Sequence, residues 1–260
     1  MTVIVRAVPL GGVGTPLPPG DPTAGESQRA AAFADPQRAH EFLAGRLALR
    51  AFVAGELGVE PARVRPAYRC PACGPGEHGT PGFALGSDDG GADDGGSDHG
   101  GTDDGAFARP LDVAASLSRA GGWALLAVEL PPAGGRWEAG VGDPLPAIGV
   151  DLALVADFRR AVPDAAYSPA ERRRLLSVPD VPAEAARLWA RKEALLKALG
   201  TGLRTDPAAV ETLEDGRVDG VDTRALGLPP GFVAAVSVTS APAISEAAEA
   251  SRRRARGGAR

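Results

Sequence analysis

The sequence predicts an α+β fold of two lobes related by an approximate two-fold axis, with a cleft between them. Three observations predict it. Two segments share one internal order: a long helix, a short proline-containing connection, then β structure. In the first, "HEFLAGRLALRAFVAGELG" leads through "VEPARV" to "DVAASLSRAGGWALLAVEL"; in the second, "ARLWARKEALLKALG" leads through "TDPAAV" to "GFVAAVSV". The two helices also align in register. Laying Arg46 on Glu193 places "GRLALRAF" over "KEALLKAL", puts Arg50 over Lys197 and brings Pro61 within one position of Pro207. Finally, 260 residues at 44% hydrophobic content suffice to bury a core.

The first lobe is expected over residues 1–145 and the second over 146–240, with a basic tail at 241–260. The first lobe is interrupted at 86–105 by "SDDGG ADDGG SDHGG TDDG", a degenerate repeat with nothing apolar to bury beyond Ala, read as a disordered loop. A calcium β-roll would need a large apolar residue in each repeat, and none is present. The seven aspartates of this loop more than account for the formal charge of −5, so the remainder of the chain is slightly basic and suits a bound anion. The tail "SRRRARGGAR" has no interleaved aromatic residues and is read as solvated, not as a nucleic-acid contact.

No apolar run approaches the roughly 20 residues needed to cross a bilayer, and the amino terminus has no charged start followed by a long apolar stretch. Cys70 and Cys73 cannot supply a secreted disulfide framework. A cytoplasmic location is expected. Cys70, Cys73 and His78 offer three zinc donors, one short of a closed structural site.

Within the second helix, Leu188, Leu195 and Leu199 share one face, Trp189, Glu193 and Lys197 form an i, i+4, i+8 row, and Lys192 falls on the other flank. A surface Glu193–Lys197 ion pair beside a packed Trp would explain the row. The usage of lysine argues for more. Of 28 Lys+Arg, only Lys192 and Lys197 are lysine, and an ammonium can shift its pKa and pass on a proton where a guanidinium cannot. Upstream, "LPAIGVDLALV" reads as a buried strand carrying Asp151, a carboxylate that needs a cation, a metal or backbone amides as partner.

The "IGVD" strand followed by "WARKEALLKALGTGL" resembles the signatures of the Sfp-type 4′-phosphopantetheinyl transferases, G-[IV]-D and W-x-x-K-E-[AS]-x-x-K with a following Gly-x-Gly. The likeness runs from about Arg38 to Val238. It takes in "EFLAGRLALR", "CPACGPGEHGTPGF" and "SLSRAGGWALLAV", which are similar to segments of actinobacterial members. It implies the two-lobed α+β fold of that family, with the active site in the cleft. The implied reaction is Mg²⁺-dependent transfer of the phosphopantetheine arm of coenzyme A to a serine of an apo carrier protein, releasing 3′,5′-ADP. The carriers would be acyl or peptidyl carrier proteins of fatty-acid, polyketide or peptide synthases, and the enzyme a monomer.

By the same resemblance, Asp151 and Glu193 are the expected Mg²⁺ ligands, Glu193 the base for the carrier serine and Lys197 the group that meets the leaving phosphate. Lys192 would hold a phosphate. Arg46 and Arg50 would reach the 3′-phosphate and pyrophosphate, Arg38 would assist from the helix start, and Ser118 and Arg119 would bind phosphate from the strand end. Three positions depart from the family pattern. Arg119 stands where a His is usual, Thr80 where a basic residue is common, and Ala153 where a further acid often follows the strand Asp. The cysteine loop is expected near the adenine.

Overall fold

A computed structural model describes residues 2–70, 73–76, 79–86, 109–131 and 147–239. The Asp/Gly segment beyond Gly86, the tail at 241–260 and His78 lie outside the described residues. Strand β1 (Thr2–Pro9) opens the chain, followed by α1 (Ala24–Ala31) and the 22-residue α2 (Pro36–Leu57). Short strands come next: β2 (Val64–Pro66), β3 (Tyr68–Cys70), β4 (Gly74–Gly76), β5 (Phe83–Leu85) and β6 (Arg109–Pro110). A longer pair, β7 (Ala114–Ala120) and β8 (Trp123–Leu130), turns through Gly121 and Gly122, both at positive φ, in the two-residue loop that suits a hairpin. Beyond them stand β9 (Ala147–Leu154), α3 (Val155–Arg160), α4 (Pro169–Leu175), α5 (Val181–Ala198), β10 (Val218–Val221) and β11 (Phe232–Thr239).

The ends of the two long helices follow local chemistry. Asp35 accepts from the Gln37 amide at 2.9 Å, Pro36 fills the first turn, and Gly58, at φ 65°, ends α2. At the far end of α5, the Thr201 amide donates to Leu196 O and the Gly200 amide to Lys197 O, with Gly200 at φ 65°. That double closure satisfies the last carbonyls and turns the chain sharply after Lys197.

Among the described residues, beside a smaller β2-β5-β6 sheet and the β3-β4 hairpin, the two sheets of longer strands are three-stranded and antiparallel, with orders β1-β8-β7 and β10-β11-β9. The topology is the same in both: the strand before the long helix pairs with the last strand, whose other side is covered by the penultimate one. Period-two alternation splits each central strand between two cores. Leu126 and Val128 of β8 join Leu49, Phe52 and Val53 of α2, while Leu125 and Ala127 face Ile148, Val150 and Leu152 of β9. The opposite face of β9 turns to α5, where Ala186, Ala190, Ala194 and Ala198 form an i, i+4 row, each no more than 1% exposed.

This alanine row lets helix and strand approach closely at Gly149. A Cβ there would lie 1.9 Å from Ala194 O. Gly149→Ala is therefore expected to push α5 off β9 and to cost at least about 1–3 kcal/mol, read as a lowered midpoint in urea unfolding. The same close approach carries the end of α5 to the carboxylate of β9.

Candidate active site

Asp151 is the meeting point. It points from β9 toward α5 and is 6% exposed. Its Oδ1 accepts from Lys197 Nζ at 2.6 Å and from Ser118 Oγ, on β7, at 2.7 Å. Lys197 Nζ also donates to Val150 O at 3.0 Å. A further link, the Val150 amide to Ser116 Oγ at 3.0 Å, ties the free edge of β9 to β7. The buried strand carboxylate read from the sequence thus has a cation and a hydroxyl as partners.

Glu193, one helical turn before Lys197, is half-buried, and its Oε1 is buried without a hydrogen-bond partner. Burial pushes its carboxyl above the usual range; the Lys197 ammonium opposes this and the Asp151 charge adds to it. In the unfolded chain Glu193 titrates normally. Between its ordinary and raised pKa the folded state therefore holds more protons, and stability falls as pH rises through that window. Glu193→Gln is expected to raise the melting temperature at neutral pH and to flatten its decline above the ordinary carboxylate range. Thermal melts across pH check it; an unchanged pH slope would refute the assignment.

Beside these groups opens a cavity of about 780 Å³ lined by α2, β3, residues 79–81, β7, Ile148, the end of α5 and residues 200–204. Its described lining includes five cations, Arg38, Arg46, Arg119, Lys197 and Arg204, against one carboxylate, Glu41. The Arg46 guanidinium sits over the Tyr68 ring at 4.1 Å and the Phe42 ring at 5.3 Å, with its Nη1 buried and without a hydrogen-bond partner. Arg119 lies 5.4 Å from the Phe42 centroid. Burial lowers the Arg119 pKa, and the Arg46 charge lowers it further. The two guanidiniums are backed by rings, with Glu41 as the carboxylate whose charge acts on Arg119, an arrangement that suits an anion. Arg38 is exposed at the rim, with Asp35 3.9 Å away.

Two expected phosphate ligands are placed elsewhere. Lys192 is 0% exposed and pairs with Glu171 Oε2 at 2.6 Å. Its ammonium also donates to Pro207 O at 2.8 Å and to Val210 O. Glu171 in turn accepts from the Ser168 amide and from Thr212, so the pair clamps α4 and residues 207–212 to α5. Arg50 is 4% exposed, bonded to Glu26 Oε2 at 2.8 Å and to Asp21 O at 3.0 Å, and holds α1 to α2. Neither side chain lines the cavity, because each is drawn to a carboxylate that another element packs against its helix.

Ala153 shares the α5-facing side of β9 with Asp151, as alternation requires, but packs against Ala186 and Ala190 at 5% exposure. Among the described residues no group of three His, Cys, Asp or Glu side chains could hold a metal. Two hard oxygen donors remain, Asp151 and Glu193, and the orphaned Glu193 Oε1 beside the Asp151 charge fits a cation shared between them. Arg204 was not foreseen. It follows the "GTG" turn, and only the fold of that turn brings it to the cavity, where it donates to Thr201 O and Gly200 O.

These features define a class: an α+β protein with a cation-lined cavity and a carboxylate–ammonium pair beside it. Residues 147–222, from β9 through α5 to β10, match the family model of the 4′-phosphopantetheinyl transferase superfamily. Among solved structures, the crystal structure of Thermotoga maritima holo-[acyl-carrier-protein] synthase is similar at 24% identity and a TM-score of 0.30. That match covers 35% of this chain and 61% of the synthase, less than two thirds of its length. No curated relative matches the chain. The family match supports a transferase of the phosphopantetheinyl kind. No helix among the described residues is long and apolar enough to cross a membrane.

Proposed function

We propose that the protein is an Sfp-type 4′-phosphopantetheinyl transferase that moves the phosphopantetheine arm of coenzyme A to a serine of an apo acyl or peptidyl carrier protein, giving holo carrier and 3′,5′-ADP. Its lobes, residues 1–145 and 146–240, are a duplicated unit, which the shared strand order of the two sheets supports. Because both units line the cavity, one chain completes the site, and a cytoplasmic monomer suffices. The observation that carries the reading is Lys197 held on Asp151 at the edge of a cationic cavity, within the stretch that matches the superfamily.

In this reading Arg46, Arg119 and the exposed Arg38 grip the phosphates of coenzyme A in the cavity. The serine oxygen forms a bond to phosphorus as the pyrophosphate P–O bond breaks. Glu193, whose burial raises its proton affinity, takes the serine proton, and Lys197 turns its ammonium to the leaving phosphate. Asp151 and Glu193 would hold Mg²⁺, which when bound supplies charge neutralisation at the phosphates. Ser118 fixes the carboxylate of Asp151.

Fluorescent coenzyme A, Mg²⁺ and an apo carrier domain test the reading, with label on the carrier as the expected result. Coenzyme binding with no labelling of any carrier would mark a non-catalytic homologue, the alternative that the missing acid at Ala153 favours. With two protein carboxylates, Mg²⁺ is expected to bind weakly until coenzyme A adds phosphate oxygens, giving positive, reciprocal coupling. Asp151→Ala is expected to abolish transfer at Mg²⁺ concentrations that saturate the parent. A parental Mg²⁺ titration curve in that variant would remove the metal from Asp151.

A further inference from the structure

Cys70 and Cys73 have no part in the transfer chemistry, yet Cys70 stands at the cavity wall with Cys73 in contact with it. Cys70 ends β3 and lines the cavity; across the β3–β4 hairpin it is in register with Gly74, the neighbour of the exposed Cys73. Neither is in a disulfide. The two side chains are hydrogen-bonded to each other, and this contact raises the Cys73 pKa. Arg204, another cavity residue, is close enough for its charge to act on Cys73. Two thiols in contact, one part-exposed at a cationic cavity and the other exposed, are the arrangement that dithiol exchange requires.

We propose that Cys70 and Cys73 are a reversible redox modification site, oxidised by small disulfides to an intramolecular bond that weakens anion binding in the neighbouring cavity. One of the two, as its thiolate, attacks one sulfur of a low-molecular-mass disulfide and expels the other half as a thiol. The second then loses its proton, attacks the protein sulfur of the mixed disulfide and expels the second thiol. The protein loses two electrons and two protons, and the small disulfide is reduced to two thiols. The link to the cavity runs along β3. Two residues before Cys70, Tyr68 supports Arg46 at 4.1 Å, and a disulfide, which fixes its Cβ atoms at about 3.8 Å, would constrain the end of the strand that holds this stack. The link to anions rests on the cavity's charge. If the transferase reading holds, coenzyme A disulfide is an oxidant that the cavity itself would present to Cys70.

The test equilibrates the full chain with glutathione and glutathione disulfide at graded ratios, traps thiols by alkylation and reads intact mass. Expected are two alkylatable thiols falling to none, a mass lower by two hydrogens, and reversal by dithiothreitol. Cys73→Ser is expected to stop at a glutathione adduct on Cys70, and Cys70→Ser at one on Cys73. With inorganic pyrophosphate as probe, the oxidised protein is expected to bind about fivefold more weakly than the reduced, the low end of ordinary coupling between sites. Thiols that stay alkylatable at the most oxidising ratio, or a covalent dimer in place of the internal bond, would overturn the site; equal pyrophosphate affinity in both states would overturn its link to the cavity. None of these readouts needs carrier transfer, so loss of the transferase reading leaves them intact.

Discussion

Lys197→Ala is expected to lower the transfer rate by about 10²- to 10³-fold, the loss that follows removal of one preorganised donor from a developing charge. The geometry makes this residue hard to replace. Its ammonium, 28% exposed, reaches the Asp151 carboxylate and the Val150 carbonyl at once, through a stem that leaves α5 at its last turn. Lys197→Arg keeps the charge but brings a larger planar head that does not give up its proton, so it is expected to recover little of the rate while the melting temperature barely moves. Steady-state transfer rates beside thermal melts check both variants. Parental turnover in Lys197→Arg would reduce the residue to a surface ion pair and remove the argument from lysine usage.

Lys192→Met is expected to have the largest effect on stability. The Lys192–Glu171 pair is fully buried, and removal of one partner leaves the other charge without compensation, at a cost of about 3–5 kcal/mol. For a chain of this size that is roughly a 10 °C fall in melting temperature. Glu171→Gln placed on the same background is expected to recover part of the loss, since the stranded charge is then gone. Well below the melting temperature, the KM for coenzyme A is expected to stay at the parental value. A stable Lys192→Met protein with a raised KM would return Lys192 to the phosphate site. The two lysines of one helix are thus separable: one change stops the chemistry, the other loosens the scaffold.

The contrast between them shows where sequence reasoning held. The "IGVD" strand, the α5 helix and the Glu193–Lys197 row were legible because each depends on short-range pattern. An apolar run bounded by proline makes a buried strand, spacing of three and four makes a helical face, and Gly200 ends α5 by its positive φ.

Burial of Lys192 is legible too. Lys192 stands four residues after Leu188 and three before Leu195, on the line that packs inward. Arg50 repeats the case between Leu47 and Ala54, both buried. Spacing predicts such burial but not its partner. Glu171 lies across a loop from Lys192 and Glu26 lies one helix away from Arg50, and no local rule pairs them.

Sequence alone determined which residues can do the chemistry: a carboxylate in a strand, an acid and an ammonium one turn apart, arginines on a helix. Tertiary structure decided which of them share a site. Gly149 against the alanine row sets the height of α5 over β9 and so brings Lys197 to Asp151; Ser118 arrives from a different sheet, and Arg204 by the fold of a turn. Arg46 and Arg50 are the same residue type one helical turn apart on α2, yet one stacks on Tyr68 in the cavity and the other pairs with Glu26 in the interior. The physical reason is that a side chain's role depends on what the long-range packing of other elements places opposite it, and the helix that carries it specifies only the direction in which it leaves.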